Sequence, residues 1–417
     1  MLCHGIGWLD DDSSRVDSLP RRCRSGYADV LVMKNWKLRW AVVALFSSAG
    51  FIALCASAQS SRPADAIALE QQGKFAEAAE VWRGVIQQNP RDAGAFASLG
   101  VVLSKEQRYE EAASAYEKAI ALNPQLPGVQ LNLGLAEFKQ GHFQAAIAPL
   151  RAASAADPHN QQAVTLLGLN YYGTKHFAEA AKYLEVAAKV DPANTELQQV
   201  LAQSCLLAKK YSCALDEFRQ ILLQNPDSAS AHMLSGEALD GLQRTPEAIA
   251  EFKAAERVSP REPNLHFGLG YLYWKSHQYD EAKTEFENEL AIDPNQPQAL
   301  TYLGDIEMKR SNLDEALASL KKAVQTKNDI RLAYVDLGAV LVQKKQYPEA
   351  VAALRRAVEL DPAQADAHYR LGRTYQAMGR TVESQKEFAK VRALHEKANN
   401  NDPLASKMPA SPPPLPQ

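Results

Sequence analysis

The stretch that decides the fold is residues 93–126, AGAFASLGVVLSKEQRYEEAASAYEKAIALNPQL, which is one copy of a unit that recurs along the chain. Its proline, Pro124, belongs to a series spaced 34 residues apart that runs from Pro90 to Pro294 and resumes at Pro362. Asn, Asp or Ser precedes each of these prolines. Because proline disfavours helix at the residue before it, each unit is predicted to end in a turn.

Three further positions of the unit keep their character when its proline is numbered 32. Position 8 is always Gly or Ala, position 20 is Ala or Ser, and position 24 is large and apolar; in residues 93–126 these are Gly100, Ala112 and Tyr116. The apolar residues recur at helical spacing, as in Ala112, Tyr116 and Ala119. A single helical hairpin cannot bury its own apolar faces, so its neighbours must cover them. We therefore predict an all-α, right-handed superhelical solenoid of about ten helix-turn-helix units of 34 residues.

This pattern resembles the tetratricopeptide repeat family, in particular its secreted or membrane-tethered bacterial members with many repeats. The resemblance covers residues 59–397, and it departs from the family consensus at Glu289, where a small residue is usual at position 27, and at Ser384, which replaces Ala. It implies that the first helix of each unit lines a concave groove. A peptide or helix of a partner protein is then expected to bind in that groove.

The residues before the repeats have the composition of a secretory signal. Residues 40–58, WAVVALFSSAGFIALCASA, carry no charge, follow a basic segment and end in a small-x-small site. Because a signal begins close to its basic region, we expect translation to start at Met33. Residues 1–32 are then a mis-annotated or disordered extension, and residues 33–58 are the signal peptide.

An uncleaved membrane anchor is the alternative for residues 40–58, since nineteen uncharged residues can just span a bilayer. In either case the repeats are expected outside the cytoplasm, in the periplasm or secreted, with membrane contact only through this segment. At the other end, residues 398–417 are rich in Pro, Asn and Ser and are predicted to be a disordered tail.

The sequence offers no signature of catalysis or of nucleic-acid binding. The net charge is −3, which gives no basic surface for DNA or RNA. No phosphate loop, nucleophile elbow or H-E-x-x-H motif is present, so we expect no catalytic site, no cofactor and no metal. His232 and His266, both at position 4 of adjacent units, could share a metal, but packing between helices is the expected role of that position.

Two cysteines lie in the fifth unit, Cys205 at position 11 and Cys213 at position 19. A disulfide joining the two helices of that unit is geometrically feasible, and an extracytoplasmic setting would permit it. The alternative is two buried free thiols that pack as small apolar side chains.

Large apolar residues occupy the groove positions that the resemblance implies in the third, fourth and seventh units. They are Leu131, Leu135, Phe138, Leu169, Tyr172, Phe267, Tyr271 and Trp274. Exposed apolar residues of this size cost solubility unless something covers them, and aromatic residues are enriched at binding hot spots. We predict that a partner segment docks against Phe267, Tyr271 and Trp274; the alternative is that the curvature of the superhelix buries them against the next unit.

The sequence thus favours a non-catalytic interaction scaffold that binds a protein or peptide. Two other functions stay open at this point. One is a non-catalytic subunit or cofactor of an envelope enzyme complex, and the other is a membrane-anchored structural spacer.

Overall fold

The computed structural model describes residues 62–401, which form twenty α-helices in ten successive hairpins and contain no strand. In chain order the helices are α1 (Pro63–Gln71), α2 (Phe75–Gln88), α3 (Ala93–Lys105), α4 (Tyr109–Leu122), α5 (Val129–Lys139), α6 (Phe143–Ala156), α7 (Gln161–Gly173), α8 (Phe177–Val190), α9 (Thr195–Leu207), α10 (Tyr211–Gln224), α11 (Ala229–Gly241), α12 (Thr245–Val258), α13 (Leu265–Lys275), α14 (Tyr279–Ile292), α15 (Pro297–Lys309), α16 (Leu313–Thr326), α17 (Arg331–Gln343), α18 (Tyr347–Leu360), α19 (Ala365–Ala377) and α20 (Thr381–Asn401). The predicted all-α solenoid of helical hairpins is confirmed.

The predicted segments at the two ends fall largely outside this range. The extension 1–32 and the signal segment 33–58 lie outside the described residues, as does most of the predicted tail. Helix α20 ends at Asn401, so the first four residues of that tail, 398–401, are helical. Within residues 62–401, no helix has both the length and the apolar character needed to cross a bilayer.

The two helices of a hairpin pack closely where the small residue at position 8 meets the bulky residue at position 24. A Cβ atom added at Gly100 would lie 2.5 Å from Cε1 of Tyr116, and one added at Gly338 would lie 2.5 Å from Cγ of Leu354. Tyr116 and Leu354 are fully buried. In the eight hairpins with glycine at position 8, the absence of a side chain therefore leaves the space that the residue at position 24 of the same hairpin fills; the first and fifth hairpins have Ala66 and Ala202 there.

The turn inside each hairpin uses a left-handed backbone conformation at position 15. Three hairpins place glycine there, but seven place residues with a side chain at φ between 57° and 62° or at 65°. These seven residues are Gln107, Lys175, Lys209, Gln243, His277, Ser311 and Lys345. A left-handed conformation costs an L-residue about 1 kcal/mol or more relative to glycine, so the turn geometry is imposed by the packing of the two helices.

A histidine clasp recurs at three junctions between hairpins. His266 of α13 has Nδ1 2.7 Å from Oε2 of Glu285 on α14, and Nε2 2.9 Å from the backbone oxygen of Pro260 in the preceding hairpin. The same arrangement is found at His232 and His368. At His266 the hydrogen bond to Glu285, together with the one to Pro260, raises the pKa of the imidazole and so favours its protonated form. Each clasp joins the two helices of its own hairpin to the turn before it.

The fifth hairpin contains a covalent link between its helices. Cys205 of α9 and Cys213 of α10 form a disulfide, with their Cα atoms 5.8 Å apart. The Cys205 side chain is fully buried, and Cys213 packs against the same core cluster.

Candidate partner-binding groove

The first helix of each hairpin lines the inner surface of the array. First helices of neighbouring hairpins contact one another directly, as α5 does with α7 and α15 with α17. The second helices contact the first helices on either side of them instead. Elements that approach their equivalents closely lie at the smaller radius, so the odd-numbered helices from α3 to α19 form the concave face.

The predicted residues of the third and fourth hairpins lie together on this face, and all are partly buried. Leu131, Leu135 and Phe138 of α5 pack against the buried cluster between α6 and α7. Leu169 and Tyr172 of α7 pack against the next cluster, and the Tyr172 hydroxyl donates to Oε1 of Gln203 on α9 at 2.9 Å. These side chains therefore support the inner surface while they keep part of their area exposed.

Phe267 does not lie on the surface of the groove. Its side chain is only 2% exposed, with its ring centroid 5.9 Å from that of Phe286 on α14 and 6.0 Å from that of Tyr302 on α15. For this residue the alternative stated above holds: the adjacent hairpin covers the ring. Phe267 forms the floor beneath the groove and offers no surface to a partner.

Tyr271 and Trp274, in contrast, remain partly exposed and are held by a third ring, Tyr302. Tyr302 contacts Tyr271 edge-on at 5.7 Å and Trp274 edge-on at 4.9 Å between ring centroids. Tyr271 and Trp274 stack at 6.2 Å. We call these three side chains the aromatic ledge. The sequence reasoning missed Tyr302 because it lies at position 6, to which the family resemblance assigns no groove role.

The polar edge of the ledge is built from an aspartate and a lysine of α15. The indole Nε1–H of Trp274 donates to Oδ2 of Asp305 at 2.6 Å. Lys309 pairs with the same carboxylate, and its Nζ lies 5.2 Å from the centroid of the Trp274 ring. The orientation of Trp274 is therefore set by a charge-assisted hydrogen bond and by packing against two neighbouring rings.

Glu289 caps the N-terminus of helix α13, the helix that contains the ledge residues Tyr271 and Trp274. Helix α13 begins only at Leu265, after Asn264 in the left-handed conformation at φ 65°, and it has no side-chain cap of its own. Glu289 of α14, buried to 2% exposure, accepts hydrogen bonds from the backbone N–H groups of Asn264 at 3.0 Å and Phe267 at 3.1 Å. Burial raises the pKa of this carboxyl group, while the two N–H groups oppose the rise. The departure from the small residue at position 27 thus supplies a helix cap from the second helix.

Carboxylates also lie on α11 and α17, the first helices on either side of the two that carry the ledge. On α11, Asp240 accepts from Nζ of Lys275 at 2.7 Å, and burial raises the pKa of its neighbour Glu237 to about 7. On α17, burial raises the pKa of Asp336 to about 7, with the nearby Asp305 adding to the rise. Asp336 is 4% exposed, and its Oδ2 has no hydrogen-bond partner among residues 62–401.

His232 and His266, the two histidines considered for a metal, form the hydrogen bonds of the histidine clasp instead. His232 and His266 each bond to the glutamate of their own hairpin, Glu251 and Glu285, and not to a common centre. Glu256 lies close enough to His266 and Glu285 to complete a group of three ligand atoms within 4.8 Å, but both ring nitrogens of His266 already face protein acceptors.

Comparison with known proteins gives matches to repeat families and to solved repeat structures. Family models match residues 79–198 (cytochrome c-type biogenesis protein H TPR domain), 171–238 and 267–329 (both tetratricopeptide repeat) and 338–379 (TPR repeat). No curated protein matches the chain in sequence.

Three solved structures illustrate the structural likeness. The chain is similar to YrrB, described as a TPR protein with an unusual peptide-binding site, at 22% identity over 45% of this chain and 95% of that one, with a TM-score of 0.37. It is similar to MamA from Desulfovibrio magneticus RS-1 at 23% identity over 40% and 96% of the two chains, with a TM-score of 0.38. A structure of the APC/C hetero-tetramer Cut9-Hcn1 matches at 13% identity over 82% and 81%, with a TM-score of 0.48.

Proposed function

Because this chain belongs to the tetratricopeptide repeat family, we propose that it is a non-catalytic scaffold whose concave groove binds a peptide or helical segment of a partner protein. The aromatic ledge carries this proposal. Tyr271 and Trp274 are large, partly exposed side chains on the inner face, and their conformations are fixed before any partner arrives.

A fixed aromatic side chain is an efficient anchor for a binding partner. Tyr and Trp bring a large contact area, and little conformational entropy is lost when their rotamers are already held by neighbours. Tyr302 supports both rings from one side, and Asp305 fixes the indole edge of Trp274. A structural spacer would gain nothing from an ordered ledge on its inner face, so the ledge favours binding over that role.

We place the scaffold outside the cytoplasm, in the periplasm or secreted. The signal-like composition of residues 33–58 supports this location, and so does the Cys205–Cys213 disulfide, since disulfides persist in oxidising compartments. A second candidate function is a non-catalytic subunit or cofactor of an envelope enzyme complex. The match of residues 79–198 to the TPR domain of cytochrome c-type biogenesis protein H favours it.

The test is capture of partners with and without the ledge. The full chain, a Trp274→Ala variant and a Tyr183→Ala variant are each crosslinked in native cells and purified, and their bound proteins are compared quantitatively. Tyr183 lies on the second helix α8, outside the groove, and serves as the matched loss of one aromatic ring. We expect Trp274→Ala to weaken capture by about 30-fold, the effect of losing a hot spot worth roughly 2 kcal/mol.

Circular dichroism of the three proteins separates binding from folding. Equal helicity together with loss of partners only in Trp274→Ala would support the proposal. Undiminished capture by Trp274→Ala would refute it.

A further inference from the structure

Three side chains that can ligate a metal meet where the sixth hairpin packs against the seventh. One ligand atom each from Glu256 of α12, His266 of α13 and Glu285 of α14 lies within 4.8 Å of the other two. His266 is buried, while both glutamates keep part of their surface exposed. Imidazole nitrogen and carboxylate oxygen are ligands that zinc and related divalent metals accept, and the exposed glutamates give such an ion a path from solvent.

The hydrogen bond on the far side of the imidazole orients His266 in the way that metal-binding histidines are oriented. Nε2 lies 2.9 Å from the backbone oxygen of Pro260, which can only accept, so Nε2 donates. A histidine that ligates a metal usually donates its other N–H to a carbonyl or a carboxylate in this manner. Nδ1 then faces Oε2 of Glu285 at 2.7 Å, and two such acceptor atoms come this close only with a cation between them. In the clasp that cation is a proton.

Glu256 distinguishes this junction from the two other clasps. It stands at position 28 of the preceding hairpin, where the junctions of His232 and His368 have Leu222 and Val358. Glu256 makes no hydrogen bond and no ion pair with any residue of 62–401, so its carboxylate is available to a ligand. Within the same range, no other group of three such ligand atoms is equally close.

The charges at the junction favour a cation. Glu285 and Glu256 both face His266, and Glu289 lies nearby while it caps α13. The basic side chain beside these acids is Lys253, which is exposed. Even with the buried Glu289 counted as neutral, two carboxylates and a neutral imidazole face a single lysine, and this excess of negative charge attracts a divalent ion.

We infer that His266, Glu285 and Glu256 form a binding site for a divalent transition-metal cation of the zinc type. The ion replaces the proton between Nδ1 of His266 and Oε2 of Glu285, and that proton leaves to solvent. Two ligand atoms that each lie about 2.1 Å from one ion are about 3.0–3.4 Å apart, so the clasp has to open by only about half an ångström. Glu256 supplies the third ligand, and water completes the coordination.

The bound ion joins the second helix of the sixth hairpin to both helices of the seventh. Because α13 contains Tyr271 and Trp274, the metal also fixes the start of the helix that carries most of the aromatic ledge. This differs from the expectation of no metal, which rested on the absence of a short metal-binding motif. The ligands come from three different helices, so no such motif marks them.

The probe is Zn²⁺, titrated into the full chain after dialysis against a chelator, with Mg²⁺ titrated in parallel. Calorimetry gives the affinity, and native mass spectrometry gives the number of ions bound. Wild type is compared with Glu256→Gln, which leaves both hydrogen bonds of the clasp in place and should fold normally. Glu285→Gln is a second variant of the site. His232→Gln is the matched control, because it removes a clasp that has no third acid.

We expect Glu256→Gln and Glu285→Gln to weaken the tightest zinc site by about 100-fold or more, since losing even an outer contact of a metal site costs about 10–100-fold in affinity. His232→Gln should change it by less than about twofold, because distant sites act independently. Zinc should raise the Tm of wild type and His232→Gln but not that of Glu256→Gln, as an ion that binds the folded state stabilises it. Mg²⁺ should raise none of them, because it prefers oxygen ligands alone.

Three results would overturn the inference. They are no zinc binding by wild type, equal zinc affinity and equal zinc-dependent Tm in wild type and Glu256→Gln, and loss of the tightest site in His232→Gln, which would place the ion elsewhere. None of them bears on the partner-binding groove, which is tested separately with Trp274→Ala.

Discussion

The buried cap made by Glu289 gives the sharpest test of how the ledge is held in place. In Glu289→Ala, the small residue that is usual at this position replaces the carboxylate, and the N–H groups of Asn264 and Phe267 lose their acceptor. Helix α13 then begins without any side-chain cap. The ledge residues Tyr271 and Trp274 lie on this same helix, so its start bears directly on the groove.

The magnitude follows from two opposing terms. Each buried N–H left without an acceptor costs about 1–3 kcal/mol, which gives roughly 2–6 kcal/mol for the two. Against this, the variant no longer buries a carboxylate, whose raised pKa shows that its burial is unfavourable by itself; that relief is worth about 1–3 kcal/mol. We expect a net loss of about 2 kcal/mol in the free energy of unfolding, at the upper end of measured helix-cap losses.

Two further variants calibrate the measurement. Glu289→Gln keeps one acceptor oxygen and should lose about half as much, roughly 1 kcal/mol. Glu287→Ala, an exposed residue of the same helix with a 3.7 Å contact to Lys283, should change stability by less than about 0.5 kcal/mol.

Urea unfolding followed by circular dichroism gives the global change, and hydrogen exchange read by mass spectrometry gives the local one. Because a repeat array need not unfold in a single step, the exchange of the amides of residues 264–269 is the decisive signal. If Glu289→Ala unfolds at the wild-type urea concentration and these amides exchange no faster, the capping role assigned to Glu289 is refuted.

Two other elements lead to predictions of their own. The hydrogen bond to Glu285 raises the pKa of His266, so the stabilisation by its imidazolium is complete below the ordinary value of about 6.5 and is lost as the pH rises through the raised value. Urea unfolding between about pH 6 and pH 9 should therefore show a decline that His266→Gln lacks, and an identical decline in the variant would contradict the clasp. Reduction of the Cys205–Cys213 disulfide should lower the free energy of unfolding by roughly 2–3 kcal/mol, measured by urea unfolding with and without dithiothreitol, while a Cys213→Ser variant should be insensitive to the reductant. Faster hydrogen exchange confined to residues 195–224 is expected on reduction, and unchanged exchange there would count against a stabilising role.

The repeat pattern was sufficient to predict the helices and their pairing. The 34-residue spacing of the prolines places each turn, and the contact between Gly100 and Tyr116 is the direct outcome of a small residue at position 8 and a bulky one at position 24. These features depend on residues within one hairpin, or in two adjacent ones, and most of the ten hairpins repeat them. The pattern of residues within one hairpin and its neighbour is therefore enough to predict the fold.

The binding surface was only partly predictable, because it depends on how far one hairpin covers the next. Position 5 and position 9 look equivalent in sequence, yet Phe267 is buried under Tyr302 while Tyr271 stays partly exposed. The burial of Asp336 also could not be read from the chain, since position 6 holds the partly exposed Tyr302 in one hairpin and this buried acid in the next. The packing across hairpins decides which of these side chains reaches the groove.

The left-handed turn residues described above imply that the free energy of unfolding could be raised by substituting glycine for them. In seven hairpins a residue with a side chain adopts the left-handed conformation that glycine adopts at lower cost. Gln243, His277 and Ser311 are three of these residues. Each such turn lowers the stability of its hairpin by about 1 kcal/mol relative to glycine, and in a linear array these losses add from one hairpin to the next. The three turns that already use glycine, at Gly73, Gly141 and Gly379, belong to the first, third and last hairpins, so this margin lies in the second hairpin and in the run from the fourth to the ninth, which includes the two hairpins of the aromatic ledge.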